Sequence, residues 1–386
     1  MLRGAGVAPA EQQPQWPDPR ALVAVEEELR ALPSLVTEEE VEALSVNLGA
    51  VASGEALLLH GGDCMEPFAD SGPDRVALKV GQLSDLAALM RADCGVSRVA
   101  MIGRIAGQHA KPRSQAYEQG PDGTMIPAYR GDAVNEPAPD SRLREADPGR
   151  MLDSYRHSAL ALSELRRGWD GQPVHDRVFA SHEFLLLPYE KALFRKAKRG
   201  SYSTSAHFGW IGERTRSLSG AHVDFSASAH NPIGVKLGPD ITPPESVSLV
   251  KRLNPERLSG RLTLIARMGV RNVESVLPSV VTAVRESGVP VTWICDPMHG
   301  NTYRSASGVK TRSVPDIQEE TASFVRVLRH AGVRPAGLSL EITPDQVTEC
   351  VWDSGQDHFP RYWSACDPRL APQQAAAVVE AFTTEL

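Results

Sequence analysis

Short apolar runs recur along this chain, and most are followed by a stretch whose apolar positions return every three or four residues. The runs are ALLLH (56–60), RVAMIGR (98–104), VFASHE (178–183), HFGWIGE (207–213), IGVKLG (233–238), LTLIARM (262–268), VTWICD (291–296) and GLSLEI (337–342). Their length and β-branched content predict strands. RVALKVGQLSDLAALMRA, NVESVLPSVVTAVRESG and EETASFVRVLRHAG, between them, have helical spacing. Strand–helix alternation implies parallel strands, and eight repeats predict an α/β protein, a (β/α)8 TIM barrel. An open doubly wound sheet is the alternative from pattern alone. Pro19 to about Ala52 also has helical spacing, broken at Leu32-Pro33-Ser34, with Thr37 as the N-cap ahead of three acids. The expected division is therefore an N-terminal arm and helical extension over residues 1–52 and a barrel over 53–386. Residues 1 to about 18, rich in Pro and Gln, read as a flexible arm, and 115–150 as a long irregular loop.

Composition narrows the class. The 386 residues are 41% hydrophobic and 23% charged, with a formal net charge of -7. That balance argues against nucleic acid as a partner and shows no polybasic membrane patch. No run is long enough for a membrane span, and the start lacks the apolar core of a signal peptide. The expected location is cytoplasmic. Cys64, Cys94, Cys295, Cys350 and Cys366 are scattered and odd in number, which is no disulfide framework.

Chemistry concentrates where the predicted strands end. Those positions carry Asp63 and Cys64, Arg104, His182 and Glu183, Glu213 and Arg214, Lys236, Arg267, Asp296 and His299, and Glu341. In a barrel they share one mouth. Cys64, His299 and Glu341, with Asp367, combine thiolate, imidazole and carboxylates, a donor set suited to a divalent first-row metal. Arg104, Arg214, Lys236 and Arg267, with Lys111 and Arg113 nearby, suit a small, multiply charged anion. Singly, a strand-end cysteine is more often a small core residue and an arginine a solvated one. Convergence at one rim weighs against those ordinary roles. Lys236 and Arg267 sit within apolar runs, where a buried cation needs an anion. SHEFLLLPYE has no second histidine for a zinc-protease helix, HGGDC lacks the GKS or GKT of a P-loop, and no G-x-G-x-x-G or G-x-S-x-G is present. A zinc hydrolase would need more strand-end histidines.

LLLHGGDCMEPF, RIAGQHAKPRS, YRGDAVN, SHEFLLLPYE, WIGERTR, NPIGVKLGP, LTLIARMG, WICDPMHGNT, GLSLEITPDQVTEC and ACDPRL follow one another from about residue 50 to 370. In these blocks the chain resembles the type II 3-deoxy-D-arabino-heptulosonate 7-phosphate (DAHP) synthases. The resemblance implies a metal-dependent barrel enzyme joining phosphoenolpyruvate (PEP) to erythrose 4-phosphate with release of inorganic phosphate, at the start of the shikimate route. It implies Cys64, His299, Glu341 and Asp367 as metal ligands, for Mn²⁺ or Co²⁺, with Zn²⁺ as a further option. It implies PEP binding by Arg104, Glu213 (through its backbone), Arg214, Lys236 and Arg267. Lys111, Pro112, Arg113 and Ser114 match the region that holds erythrose 4-phosphate. Lys111, Glu213, Lys236 and His299 are the expected catalytic set, with Glu213 or a metal-bound water as the candidates for activating the attacking water. The family also implies a homodimer or larger homo-oligomer.

His60 stands where the family commonly has Gln, a change expected near the metal rather than among its ligands. Between about Ala159 and Ser181, larger members carry an extra helical pair that helps build sites for aromatic amino acids. This chain has only RRGWDGQPVHDRVF. Such short forms typically feed secondary metabolism, so weak or absent feedback inhibition is expected. An amino-DAHP synthase using an amino- or imino-tetrose phosphate, and a non-catalytic regulatory paralogue, are the alternative readings. Cys366 adjoins Asp367, so it is expected to lie near Cys64 and to pair with it on oxidation of the metal-free protein.

Overall fold

The computed structural model describes residues 8–386. All eight predicted runs are strands: β1 Leu57–Gly62, β2 Val99–Arg104, β3 Val178–Glu183, β4 Phe208–Ile211, β5 Ile233–Leu237, β6 Leu262–Ala266, β7 Thr292–Cys295 and β8 Pro335–Glu341. They pair in parallel and close, with β8 beside β1 in the register Leu58–Gly337 to Gly62–Glu341. The strand residues are buried almost throughout, as expected where helices cover one side of a parallel sheet and packed side chains fill the other. Three hairpins that the apolar pattern had not revealed pair Tyr117–Gln119 with Met125–Pro127, Phe194–Ala197 with Gly200–Ser203, and Thr302–Arg304 with Lys310–Arg312. They are short and mostly polar, so their signal lies below that of the barrel strands.

The N-terminal extension comprises α1 Pro19–Ala31 and α2 Glu38–Ser53. Thr37 caps α2 as expected: its hydroxyl accepts from Glu40 N–H while the Glu40 carboxylate accepts from Thr37 N–H. Leu44, Leu48 and Val51 of α2 share one cluster with Leu58, Ile102, Phe179, Phe208, Trp210, Ile265 and Ile294 from inside the barrel. The extension thus completes the barrel's own core at the end away from the strand C-termini.

Residues 8–18 do not behave as the flexible arm expected of them. Pro14 is buried, and the Gln12 and Gln13 side chains bond to barrel loops. Glutamine amides satisfy peptide groups on those loops that would otherwise need water. The first part of the expected arm, residues 1–7, lies outside the described residues.

The outer helices are α3 Pro73–Cys94, α4 Arg150–Arg167, α5 Leu187–Ala192, α6 Ala221–Ser228, α7 Pro243–Leu253, α8 Val273–Glu286, α9 Val314–His330 and α10 Pro372–Glu385. No helix among the described residues is long and apolar enough to cross a membrane.

The β1–β8 seam tolerates no side chain at Gly337, where an added methyl carbon would lie 1.8 Å from the Leu58 carbonyl oxygen. Backbone cannot yield there without breaking the ladder. Gly337→Ala should therefore cost about 3 kcal/mol or more, at the upper end of overpacking, read as a lowered urea midpoint. An unchanged midpoint would contradict the closure of the seam at this residue.

Candidate active site and metal centre

Gly62, at φ 141°, lets the end of β1 pass against the backbone of Arg104, and the chain then turns to present Asp63 and Cys64 at the rim. The Cys64 and Cys366 sulfurs and an Asp367 carboxylate oxygen lie within 4.8 Å of one another, as do donor atoms of His299, Glu341 and Asp367. The four expected ligands therefore converge on Asp367.

His299 Nδ1 lies 2.8 Å from Asp296 Oδ2 and Nε2 3.1 Å from Glu341 Oε1. Burial lowers the His299 pKa against the pull of Asp296, which favours the neutral ring. With Nδ1–H donated to Asp296, the Nε2 lone pair faces the donor cluster. Burial opposes ionisation of Glu341 and Asp367, yet their neighbours outweigh it and hold both well below the usual carboxylate range: the His299 ring, then the Lys111 and Arg312 cations, for Glu341, and chiefly Lys111 for Asp367.

This set fits a divalent cation. Glu341 Oε1 is buried and has no hydrogen-bond donor, while Oε2 accepts from Arg312 at 2.7 Å. The Lys111 ammonium contacts both Cys64 Sγ and Asp367 Oδ2, so the anionic cluster draws in positive charge. Sulfur, imidazole and carboxylate donors together suit a first-row metal.

Beside the donors is a cavity of about 270 Å³. Arg104, Lys111, Pro112, Glu213, Arg214, Lys236, Arg267, His299 and Asp367 all line it, so the expected PEP residues share one space with two of the expected metal ligands and two of the expected acceptor residues; Cys64, Glu341, Arg113 and Ser114 are not part of its wall. Arg104 lies over the Trp210 ring, 5.1 Å from its centroid, and 3.3 Å from Glu341. Lys236 reaches Asp296 at 2.9 Å. Arg214 and Arg267 have no ion-pair partner among the described residues, and Arg214 donates to the Ser114 hydroxyl at 2.7 Å. Larger grooves of about 560 and 680 Å³ flank α3 outside the barrel and hold no comparable convergence of cations.

A buried web of charge supports the rim. Lys79 of α3 lies 2.8 Å from Asp63, 3.0 Å from Glu66 and 3.2 Å from Asp70. Asp63 also takes Arg369 at 2.7 Å, which in turn holds Glu349. The residues flanking Cys64 and Asp367 are thus tied together behind the donors.

Several expectations change in detail. The Glu213 carboxylate accepts from Arg216 at 2.7 Å and from Gly238 N–H at 2.6 Å. Saturated by these donors, it is a poor candidate for the base that activates water. His60 is not beside the donors. It lies deeper in the barrel, between Ser339 Oγ at 2.9 Å and Ser181 Oγ at 3.1 Å, where burial and then Arg104 and Lys236 keep it neutral.

Two groups lie at the site beyond the expected ligand and substrate-binding sets. Glu183 ends β3, lines the cavity, and has a buried Oε1 without a donor. Burial raises its pKa although Lys236, Lys111, Arg104 and Arg214 oppose the rise. Its strand-end position was the available signal, but its lack of partners is a tertiary property. Cys366 places a second sulfur at the donor cluster.

The class-II DAHP synthetase family model matches residues 5–173 and 170–383. The chain belongs to this family. It is 40% identical to a phospho-2-dehydro-3-deoxyheptonate aldolase of Streptomyces coelicolor, across 95% of this chain and 93% of that one. A Mycolicibacterium smegmatis protein of the same name is 38% identical, across 97% and 92%. A probable phospho-2-dehydro-3-deoxyheptonate aldolase of Pseudomonas fluorescens is 42% identical, across 97% and 94%. The solved phospho-2-dehydro-3-deoxyheptonate aldolase of Francisella tularensis shares the fold, with a TM-score of 0.57 at 12% identity, covering 95% of this chain and 97% of its own.

The two rim thiols yield a prediction. A hydrogen bond from Cys64 lowers the Cys366 pKa, whereas burial raises that of Cys64. Cys366 is then the attacking thiolate on oxidised glutathione, and Cys64 resolves the mixed disulfide, reducing one glutathione disulfide to two thiols. Peptide mapping of metal-free protein should recover Cys64 joined to Cys366 with the loss of two hydrogens, and Mn²⁺ should slow the reaction. Recovery of both as free thiols after oxidation would refute it.

Proposed function

We propose that this chain is a DAHP synthase that condenses PEP with erythrose 4-phosphate. The observation that carries the reading is that four cations, His299 and Asp367 border one cavity in a member of this family, with Cys64 and Glu341 in the donor groups that share Asp367. PEP bears a carboxylate and a phosphate, and Arg104, Lys236, Arg214 and Arg267 supply matching positive charge. A divalent cation held by the donor set, Mn²⁺ or Co²⁺ in this proposal, supplies Lewis acidity at the acceptor aldehyde.

The chain's own residues account for the rest. The PEP methylene carbon attacks the aldehyde carbon, and the C=O electron pair moves to oxygen. Lys111 donates to that oxygen as charge develops. Water adds to the electron-poor C2 of PEP, and Glu183 takes its proton. The resulting tetrahedral carbon passes its new hydroxyl proton to the departing phosphate oxygen as the bond to that oxygen breaks, leaving a ketone and inorganic phosphate. Glu183 suits the proton transfer because its raised pKa makes it a stronger base than an ordinary carboxylate and no donor occupies Oε1.

Metal-stripped protein given PEP and erythrose 4-phosphate should lose PEP absorbance only after Mn²⁺ or Co²⁺ is restored, with one phosphate per PEP. Bound PEP without turnover would redirect the acceptor to an amino-tetrose phosphate. Neither binding nor turnover would reject the enzyme reading. Glu183→Gln should lower kcat about 10²- to 10⁴-fold with KM for PEP little changed, and should abolish the acid limb of the pH–rate profile. Retention of that limb would move the base elsewhere.

The proposal extends to regulation and assembly. Only ten residues and one short 3₁₀ turn at Val174–Asp176 join α4 to β3, which supports a form without an aromatic-amino-acid site there. Activity titrated with Phe, Tyr and Trp should stay level; strong sub-millimolar inhibition would refute insensitivity. A role in secondary metabolism and a homo-oligomeric state belong to the same proposal.

A further inference from the structure

The loops after β6 and β7 meet backbone to backbone. A methyl carbon added at Gly300 would lie 2.4 Å from Gly269 N, and one added at Gly269, where φ is 82°, would lie 2.9 Å from Gly300 O. Only glycine allows so close an approach. Arg267 stands two residues before the first glycine, and His299 directly before the second. The contact therefore joins the loop of an anion-pocket cation to the loop of a metal donor.

Glu320, on the outer helix α9, reaches this junction from behind. Its side chain is buried and has no ion-pair partner among the described residues. Oε1 accepts from Gly269 N–H at 2.7 Å, and Oε2 accepts from Asn301 Nδ2 at 2.7 Å. Asn301 extends the clamp. Its Nδ2 also donates to Pro297 O at 2.9 Å, and its Oδ1 accepts from Val270 N–H at 2.9 Å. One carboxylate and one amide thus hold three peptide groups from two loops.

A buried carboxylate without a paired cation is unfavourable. Burial raises the Glu320 pKa to about 8, although Gly269 N–H and Asn301 oppose the rise. An apolar side chain would fill the same space without that cost. What the carboxylate supplies is two acceptors in one place for donors on two loops. The Arg267 guanidinium stands in the cavity wall without an ion pair, so the course of its backbone fixes where it lies. His299 is oriented by Asp296, which belongs to the same loop as Asn301.

We propose that Glu320 is a positioning residue for the condensation: by clamping the loops after β6 and β7 to each other, it sets Arg267 of the PEP pocket relative to His299 of the metal site. The inference rests on the DAHP synthase reading and adds to it a residue that lines no part of the cavity. The PEP and metal sites share this clamp, whereas the acceptor loop after β2 does not.

Glu320→Gln tests it by placing an NH₂ group where one oxygen stood. Either Gly269 N–H or the Asn301 amide then faces a donor, and turning the Asn301 amide would set its NH₂ against Val270 N–H. One arm of the clamp opens. Metal-stripped protein titrated with Mn²⁺, followed by electron paramagnetic resonance of the free ion, should show affinity about tenfold weaker, the worth of a hydrogen bond to a charged group. The calorimetric Kd for PEP at saturating Mn²⁺ should rise by a similar factor, and KM for erythrose 4-phosphate should not change. Adding Asn301→Asp exchanges amide and carboxylate at constant net charge and leaves every group of the clamp except Pro297 O with a partner. The exchanged pair should recover most of both affinities. Ser323→Ala is the control for stability, since Ser323 is buried on the same helix and donates to Glu274 at 2.9 Å, away from both loops. It should lower the melting temperature while both affinities hold. Unchanged Mn²⁺ and PEP affinities in Glu320→Gln would overturn the proposal. So would equal weakening for Mn²⁺, PEP and erythrose 4-phosphate, no recovery in the exchanged pair, or the same losses in Ser323→Ala. A wild type that binds Mn²⁺ and PEP but makes no DAHP would instead reject the underlying function, so the two failures are distinguishable.

Discussion

Charge balance at the buried rim is the constraint on which the rest of the site depends. Carboxylates and thiols taken out of water neutralise themselves unless cations or hydrogen-bond donors hold them ionised. Here Lys111 and Arg312 stabilise Glu341 and Asp367, and Lys79 and Arg369 share Asp63 from behind. Removing one partner leaves another charge buried and uncompensated, so these groups act as a set. The same balance suits a divalent metal on one side of the cavity and a doubly charged anion on the other.

The barrel makes that balance possible. Parallel strands deliver all eight C-termini to one end, and α2 seals the other with Leu44, Leu48 and Val51. Apolar packing below the rim supplies the rigidity, so reactive side chains are held by strand ends and short turns. Asp296 illustrates the economy of the design, orienting His299 at 2.8 Å and Lys236 at 2.9 Å, and so connecting the donor set with the anion pocket.

Division of labour among the rim carboxylates follows from their neighbours. Glu213 is consumed by Arg216 and a peptide N–H, whereas Glu183 has an oxygen without a donor and a raised pKa. Identical chemical groups at adjacent strand ends thereby acquire different partners and different affinities for a proton. The N-terminal segment adds polar contacts to the loops after β2, β3 and β4, outside the strand–helix repeat.

The eight strands were legible in the sequence because each is a continuous apolar run, and burial on both faces leaves no other composition for a parallel barrel strand. The rim positions of Arg104, Lys236 and Glu341 were legible too, since a polar residue at the end of such a run must stand at the rim, whereas Lys111 and Asp367 lie in loops and were expected only from their motifs. What the tertiary structure alone decided concerns partners distant along the chain. Whether Glu213 or Glu183 is free depends on Arg216 and Gly238. Gln12, more than a hundred residues before Arg130, gives no periodic signal, because it meets the barrel through hydrogen bonds to loops whose positions exist only once the barrel has closed.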